Sequence, residues 1–270
     1  MSTASIPCDT VAAELAKVAE RGGAIDPSCV SPLLPALESA DRAYDLQRRV
    51  QARLGRRIGY KVALSSKPAQ DRFGVTEPVY GALVEGMLLK DGVELSLNYP
   101  DLYVEADLVV RVGSEKINDA DTIGDIAQNL SELVVFIEVP QILAAPAGVN
   151  PGAYFVATGA GAHRGVLGQR ITIDGSAAML DRLSRMEVVL RGPDGLPVST
   201  SVGRDLMGHP LAPALFLIRK LKSSGERLHA GDYLSLGTFG AGPVPAKPGS
   251  YVLTYRGLTP EPLSATVHFR

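Results

Sequence analysis

The chain has no tryptophan, two cysteines and 6% aromatic residues in 270 positions. So few rings leave little for base stacking, and a formal charge of −2 provides no basic stripe for phosphates, which argues against nucleic acid as a partner. Arg56-Arg57 and Arg219-Lys220 with Lys222 are short clusters that read as solvated helix ends. Cys8 and Cys29 both lie near the N-terminus, lack metal-ligand spacing, and suit a reducing cytosol better than a disulfide scaffold. No apolar run approaches the roughly 20 residues of a membrane span, so no membrane partner is expected. Met1 to Glu20 lacks the charged and apolar regions of a signal peptide and reads as a short helix, which makes cytoplasm the expected compartment. The four histidines, His163, His209, His229 and His268, have no zinc spacing, and there is no G-x-S-x-G elbow. Thr158-Gly159-Ala160-Gly161 contains a G-x-G, but neither a phosphate-loop lysine-serine pair nor a complete dinucleotide fingerprint follows it.

What the chain does have is an ordinary globular balance, 46% apolar and 21% charged, in a length that suits one large domain or two modest ones. Val11, Leu15 and Val18 recur at helical spacing between Thr10 and Arg21, and Gly22-Gly23 stop that helix. A Pro- and Ser-containing stretch follows from Ile25 to Pro35. Asp41 is then placed to cap a second helix with Ala43, Leu46, Val50 and Leu54 on one face and Gly55 after it. From Ile58 the period changes to two. Strands are expected at 58–65, 103–110, 133–139, 171–173 and 187–190, the last turning at Gly192-Pro193-Asp194-Gly195 into 197–202, with three more near 233–236, 250–255 and 263–269. Short helices are expected over 119–130 and 176–183, and a longer one from Pro210 to Leu221, while 73–85 reads as loop. Strands without a regular βαβ rhythm point to a mixed α+β fold.

One strand interrupts its own hydrophobic run with an acid: Leu133-Val134-Val135-Phe136-Ile137-Glu138-Val139. Earlier, Tyr103-Val104-Glu105-Ala106-Asp107-Leu108 places two more carboxylates at i and i+2, on one face of a strand. Such a pair alone also suits a solvated face, and Glu138 also suits an ion pair with an arginine. Glu138, however, shares its face with Val134 and Phe136. Burying unpartnered carboxylates costs several kcal/mol each, and a hard divalent cation with oxygen ligands is the simplest compensation. Glu105, Asp107 and Glu138 are therefore candidate ligands of Mg²⁺ or Mn²⁺. In the 58–65 strand, Lys61 alternates onto a face with small neighbours Gly59 and Ala63. It is either simply exposed or has room beside it for a ligand, and Ser65-Ser66-Lys67 can turn further polar groups toward the same space. His209, between Gly208 and Pro210, suits a helix start or a place at the site.

Taken with its neighbours, this pattern resembles the fumarylacetoacetate hydrolase superfamily, and more narrowly its branch of 2-keto-4-pentenoate hydratases and 4-oxalocrotonate decarboxylases. The matching stretches are Gly59-Tyr60-Lys61-Val62-Ala63-Leu64-Ser65-Ser66-Lys67, Phe73-Gly74-Val75 with Tyr80-Gly81, Val104-Glu105-Ala106-Asp107, Phe136-Ile137-Glu138-Val139, Gly208-His209-Pro210-Leu211, and Gly231-Asp232 with Leu236-Gly237-Thr238. The resemblance implies an α+β fold, a fumarylacetoacetate hydrolase-like mixed β-roll with flanking helices. Residues 1–57 would form an N-terminal helical segment and 58–270 the catalytic domain, as a single structural unit. It implies Mg²⁺ or Mn²⁺ held by Glu105, Asp107 and Glu138, a 2-oxo acid chelating the metal through its carboxylate and keto oxygens, and stabilisation of the resulting enolate. Lys61 would be the catalytic-site lysine, binding the substrate carboxylate in preference to acting as a base, with Ser65, Lys67 and Thr238 as substrate-binding residues.

The activity implied is that of a hydro-lyase in aromatic catabolism. A 4-oxalocrotonate-type decarboxylase, an acylpyruvate hydrolase and a non-catalytic assembly or ligand-binding homologue are the alternatives. The implied partners are a small-molecule 2-oxo acid, further copies in a homo-oligomer, and a hydratase–decarboxylase complex. The chain departs from the family pattern at three places. Val79 stands where hydratases carry an acid, Pro140-Gln141-Ile142-Leu143-Ala144-Ala145 replaces an Asp-Ser-Arg-like run, and Thr158-Gly159-Ala160-Gly161 replaces Asp-Asn-Ala-Ser.

Overall fold

The computed structural model describes residues 8–30, 34, 37–99, 101–240 and 242–270. Met1 to Pro7, and parts of the Ile25–Pro35 stretch, lie outside the described residues. Helix α1 (Cys8–Arg21) buries Val11, Ala12, Leu15 and Val18. Helix α2 (Ala40–Leu54) packs on it and buries Ala43, Leu46 and Val50 of the face that the helical period assigns, with Leu54 half-buried and Gln47 buried beside them. Its cap is Ser39, whose hydroxyl accepts from the Arg42 N–H at 3.3 Å, and Asp41 sits one residue inside the helix. At that position the Asp41 carboxylate still favours the positive end of the helix dipole.

Thirteen strands follow. In the larger sheet, β2 (Val79–Val84), β1 (Arg57–Ala63), β10 (Tyr233–Ser235), β5 (Tyr103–Val112), β6 (Leu130–Val139), β7 (Arg164–Thr172) and β3 (Leu88–Lys90) lie side by side, with β11 (Val244–Pro245) also pairing with β5. The smaller sheet has the order β4 (Val93–Leu95), β13 (Leu263–Phe269), β12 (Gly249–Arg256), β8 (Glu187–Arg191), β9 (Pro197–Val202). Pairings are mixed: β1–β10, β3–β7 and β4–β13 are parallel, and the others antiparallel. Both sheets feed one core. Val104, Ala106, Leu108 and Val110 of β5 with Leu133, Val135 and Ile137 of β6 meet Tyr251, Leu253 and Tyr255 of β12. The opposite face of β5 and β6 carries Val109, Val134 and Phe136, and then the acids. This is the mixed α+β architecture expected from the strand-rich sequence.

Two local expectations are corrected, and one helix is new. Lys67–Phe73, for which the sequence gives no expectation, is a helix, α3, and Val79–Val84 is a wholly buried strand, where 73–85 reads as loop from the sequence. The glycine there is a packing residue: a Cβ at Gly81 would lie 2.1 Å from the Gly159 carbonyl oxygen, so the two backbones touch. The helix expected from Pro210 begins at Ala212, with Pro213 in its first turn, and runs to Ser223 as α7. Between β5 and α7 lie α4 (Ile123–Gln128), α5 (Pro151–Ala157) and α6 (Ala177–Arg185). Among the described residues no helix is long and apolar enough to cross a membrane.

Candidate active site

Four strands bring the chemistry together. In the β5–β6 register Glu105 stands directly opposite Glu138, and Asp107 opposite Phe136. On the other side of β5 runs β10, and beyond it β1, where Lys61 is in register with Ser235. Lys61 Nζ lies 2.5 Å from Glu138 Oε1, across the two strands that separate them in the sheet. The solvated-face reading of these acids does not hold: Asp107 is 0% exposed, Glu138 2%, Lys61 3% and Glu105 8%.

Each acid has a different surrounding. Asp107 is held rigidly: Oδ2 accepts from the Ser235 hydroxyl at 2.6 Å, and Oδ1 accepts from the Gly237 N–H at 3.0 Å and from the Leu108 N–H. Gly237 has φ +113°, a left-handed conformation that places its N–H on the carboxylate. A methyl group at Gly237 would also come within 3.3 Å of the Ser65 hydroxyl. Behind Asp107, its own carbonyl accepts from the buried Tyr255 hydroxyl. Thr238 hydrogen-bonds Glu105. Glu138 keeps Oε1 on Lys61, while Oε2 is buried with no hydrogen-bond partner.

Crowding and burial act on all four groups. Burial, and then the Glu138 charge, push Glu105 up to about 7, against the pull of Lys61 and Thr238. Burial raises Asp107 to about 6 despite the Ser235 hydrogen bond, and Glu138 to about 7 despite Lys61. Burial of Lys61 favours its neutral form, but Glu138, Glu105 and Asp107 outweigh it and hold the ammonium above the ordinary lysine range. Lys61 is thus a cation here, suited to binding an anion rather than to abstracting a proton. Three ionised carboxylates and one ammonium would leave a formal charge of two negatives in a buried site. Among the described residues, no group of three His, Cys, Asp or Glu side chains is spaced as a metal ion would require. The Lys61 ammonium takes up Glu138 Oε1, and the Ser235 and Gly237 donors take up Asp107.

Lys61 and Glu105 open onto a cavity of about 540 Å³. Ser65, Ser66 and Thr238 also line it, as do Arg72 and Phe73 of α3, Phe155 of α5, and Asp205. Leu64, with φ +55°, makes the sharp exit from β1 that carries Ser65 to the cavity, and its carbonyl accepts from the Gln70 amide at 3.0 Å. Asp107 and Glu138 are not among the lining residues. Lys67 is a correction: it is the first residue of α3, is exposed, and pairs with Asp71 rather than facing the cavity. Helix geometry explains this, since the turn that brings Ser65 inward carries Lys67 to the outer face.

His209 serves the start of α7. Its Nδ1 accepts from the Leu211 N–H at 3.1 Å, its Nε2 lies 3.1 Å from the Leu180 carbonyl, and it does not line the cavity. Val79 is buried with Tyr154, Phe155 and Val156 and does not line the cavity either. Thr158 caps α5 by donating to the Tyr154 and Phe155 carbonyls, and Gly159 packs on Gly81. Sequence reasoning missed Ser235. Its signal is the one that marks Glu138, a polar residue within the apolar run Tyr233-Leu234-Ser235-Leu236.

No protein-family model matches the chain. Among curated proteins it is 31% identical over 216 residues to a 2-keto-4-pentenoate hydratase of Paraburkholderia xenovorans, covering 78% of this chain and 76% of that one. It is 30% identical over 256 residues to 2-keto-4-pentenoate hydratase 1 of Dechloromonas aromatica, covering 89% and 90%. Among solved structures, its fold is like that of 4-oxalocrotonate decarboxylase from Pseudomonas putida G7 complexed with magnesium and adipate. That match has a TM-score of 0.79 and 23% identity over 100% of this chain and 99% of the other.

Proposed function

The chain belongs to the 2-keto-4-pentenoate hydratase family, and on that premise we propose that it is a divalent-metal-dependent lyase that adds water to a 2-hydroxydienoic (2-oxo) acid. The observation that carries this is the buried cluster of three carboxylates and one lysine beside a cavity. Its donor chemistry fits Mg²⁺ or Mn²⁺, although the side chains as they stand are not spaced around a cation and would have to turn toward it: the acids supply hard oxygens only, one of them, Glu138 Oε2, is buried without a partner, and two positive charges cancel the formal deficit of the ionised site. Glu105, Asp107 and Glu138 would hold the cation. When bound, it supplies the Lewis acidity that stabilises negative charge developing on the substrate's 2-oxygen.

The chain's own groups do the rest. The Lys61 ammonium, paired here with Glu138, would bind the substrate carboxylate once that acid holds a cation. The Ser65 and Thr238 hydroxyls line the same cavity and orient the 2-oxygen end. The Ser235 hydroxyl and the Gly237 N–H fix Asp107 so that its carboxylate does not reorganise during the reaction.

Decarboxylation is the second reading, since the fold relative is by name a 4-oxalocrotonate decarboxylase. Helix α2 is read as part of a lead-in segment to the catalytic unit 58–270, held on it by Gln47, whose amide donates to the Tyr80 and Val156 carbonyls. Assembly into a homo-oligomer, or with a decarboxylase subunit, and a cytoplasmic location complete the proposal. The test is turnover of 2-hydroxypenta-2,4-dienoate, followed as loss of diene absorbance. Turnover with Mg²⁺ that stops on chelation supports hydration. Inertness toward both this acid and 4-oxalocrotonate, with the metal present, contradicts it.

A further inference from the structure

The cavity is larger and more apolar than a five-carbon acid requires. Such an acid has about eight non-hydrogen atoms, which even at the roughly 30 Å³ a water molecule takes up in the liquid fill less than half of the 540 Å³. The groups suited to a carboxylate and a 2-oxygen are gathered at Lys61, Glu105, Ser65 and Thr238. The other walls come from different elements: Ala69 and Phe73 on α3, Phe155 on α5, Leu64 after β1, Ile142 after β6, and Leu206 ahead of α7. The Phe73 and Phe155 rings meet with centroids 4.6 Å apart and tilted 40°, which joins α3 to α5 and makes this wall a built surface.

Two charged side chains reach the cavity away from Lys61 and Glu105. Asp205 is committed, accepting from the Ser201 hydroxyl and the Val202 N–H at 2.9 Å each. Arg72 is exposed, with its guanidinium 6.0 Å from the Phe73 ring. Neither is a desolvated cation of the kind that would hold a second carboxylate.

Resting on the reading of this cavity as a 2-oxo acid site, we infer that its apolar wall is a subsite for the substrate's tail. The acid it takes carries an apolar substituent of several carbons at the end remote from its carboxylate, and no second carboxylate there. Phe73 and Phe155 are the specificity-determining residues. Each methylene buried on such a wall strengthens binding about fourfold.

The test is calorimetric binding to the Mg²⁺-loaded full chain of pyruvate, 2-oxopentanoate, 2-oxooctanoate and 2-oxoadipate. The expected result is 2-oxooctanoate binding roughly 60-fold more tightly than 2-oxopentanoate, from three further methylenes, with 2-oxoadipate no tighter than 2-oxopentanoate. Ala69→Phe, which fills the wall without opening a hole in the core, should cut that gain to below about tenfold. Equal affinities along the series overturn the tail subsite. So does a preference for 2-oxoadipate that Arg72→Ala removes, since the wall would then take a diacid. Pyruvate binding that needs Mg²⁺, beside equal affinities for the longer acids, overturns the subsite while the site reading stands. Absence of Mg²⁺-dependent binding by any of the acids overturns both.

Discussion

Glu105, Asp107 and Glu138 are each more easily protonated in the fold than in the unfolded chain, and this has a definite consequence for stability. Their folded values, about 7, 6 and 7, lie above the ordinary 4.5, 3.8 and 4.5. A raised value means that stability is fully present below the unfolded value and is lost as the pH rises through the folded one. The metal-free chain should therefore lose thermal stability between about pH 4 and about pH 7, and saturating Mg²⁺ should remove that loss, as differential scanning calorimetry at several pH values will register. Glu105→Gln removes one of the crowded charges while leaving the Lys61–Glu138 pair. At about pH 8 it should stabilise the metal-free chain, by up to about 3 kcal/mol at roughly 1.4 kcal/mol per unit, and should do little at about pH 4. Destabilisation at the higher pH would mean that the Glu105 carboxylate has a cationic partner in solution.

Lys61→Met keeps the volume and removes the ammonium. Steady-state kinetics should show KM for the 2-oxo acid rising about 10- to 100-fold, the range of a charge-assisted hydrogen bond. A fall in kcat with KM unchanged would instead make Lys61 a proton carrier.

At the scale of elements, burial on both faces is what the sequence conveyed well and close packing is what it conveyed poorly. β5 and β6 were legible as strands because their apolar runs are long, and their acids stood out against those runs. β2 was not: Val79 to Val84 is six residues with a glycine inside, and the reason for the glycine, contact with the Gly159 carbonyl, lies 78 positions away. Ser235 escaped notice for a related reason. A serine within an apolar run has many meanings until the register sets β10 beside β5 and puts its hydroxyl on Asp107. Lys67 was misplaced because α3 begins at that residue, and the helical turn, not the strand period, decides where its side chain points. Gln47 shows the converse, a polar residue on the buried stripe of α2 that donates to two carbonyls at 2.9 and 2.7 Å. Gln47→Ala leaves the Tyr80 and Val156 carbonyls without these bonds, and should cost about 2–3 kcal/mol in urea unfolding while leaving Mn²⁺ affinity within about twofold. A large loss of affinity would place α2 in the site's own energetics.

At the scale of the whole molecule, the site exists only where distant parts of the chain are brought side by side. Lys61 on β1, Ser235 on β10, Glu105 and Asp107 on β5 and Glu138 on β6 come from four neighbouring strands that are far apart in sequence. A cation bound there is bound by the folded sheet and not by the unfolded chain, so at 100 times its Kd it should add about 2.7 kcal/mol to global stability. Motif spacing could suggest which residues belong together. The register of the sheet decides which of them meet.

The most direct measurement is calorimetric titration of Mn²⁺ into the wild-type chain and into Glu138→Gln, with and without oxalate, a planar dianion that imitates an ionised 2-oxo acid. The carboxylate cluster as a metal-dependent 2-oxo acid site predicts Mn²⁺ binding to the wild type, tightening with oxalate, weaker binding below about pH 6 as the acids protonate, and a large loss of affinity in Glu138→Gln. Equal Mn²⁺ affinities in the two proteins, or no binding to a folded wild type, would contradict it and leave the acids as a structural ion-pair network around Lys61.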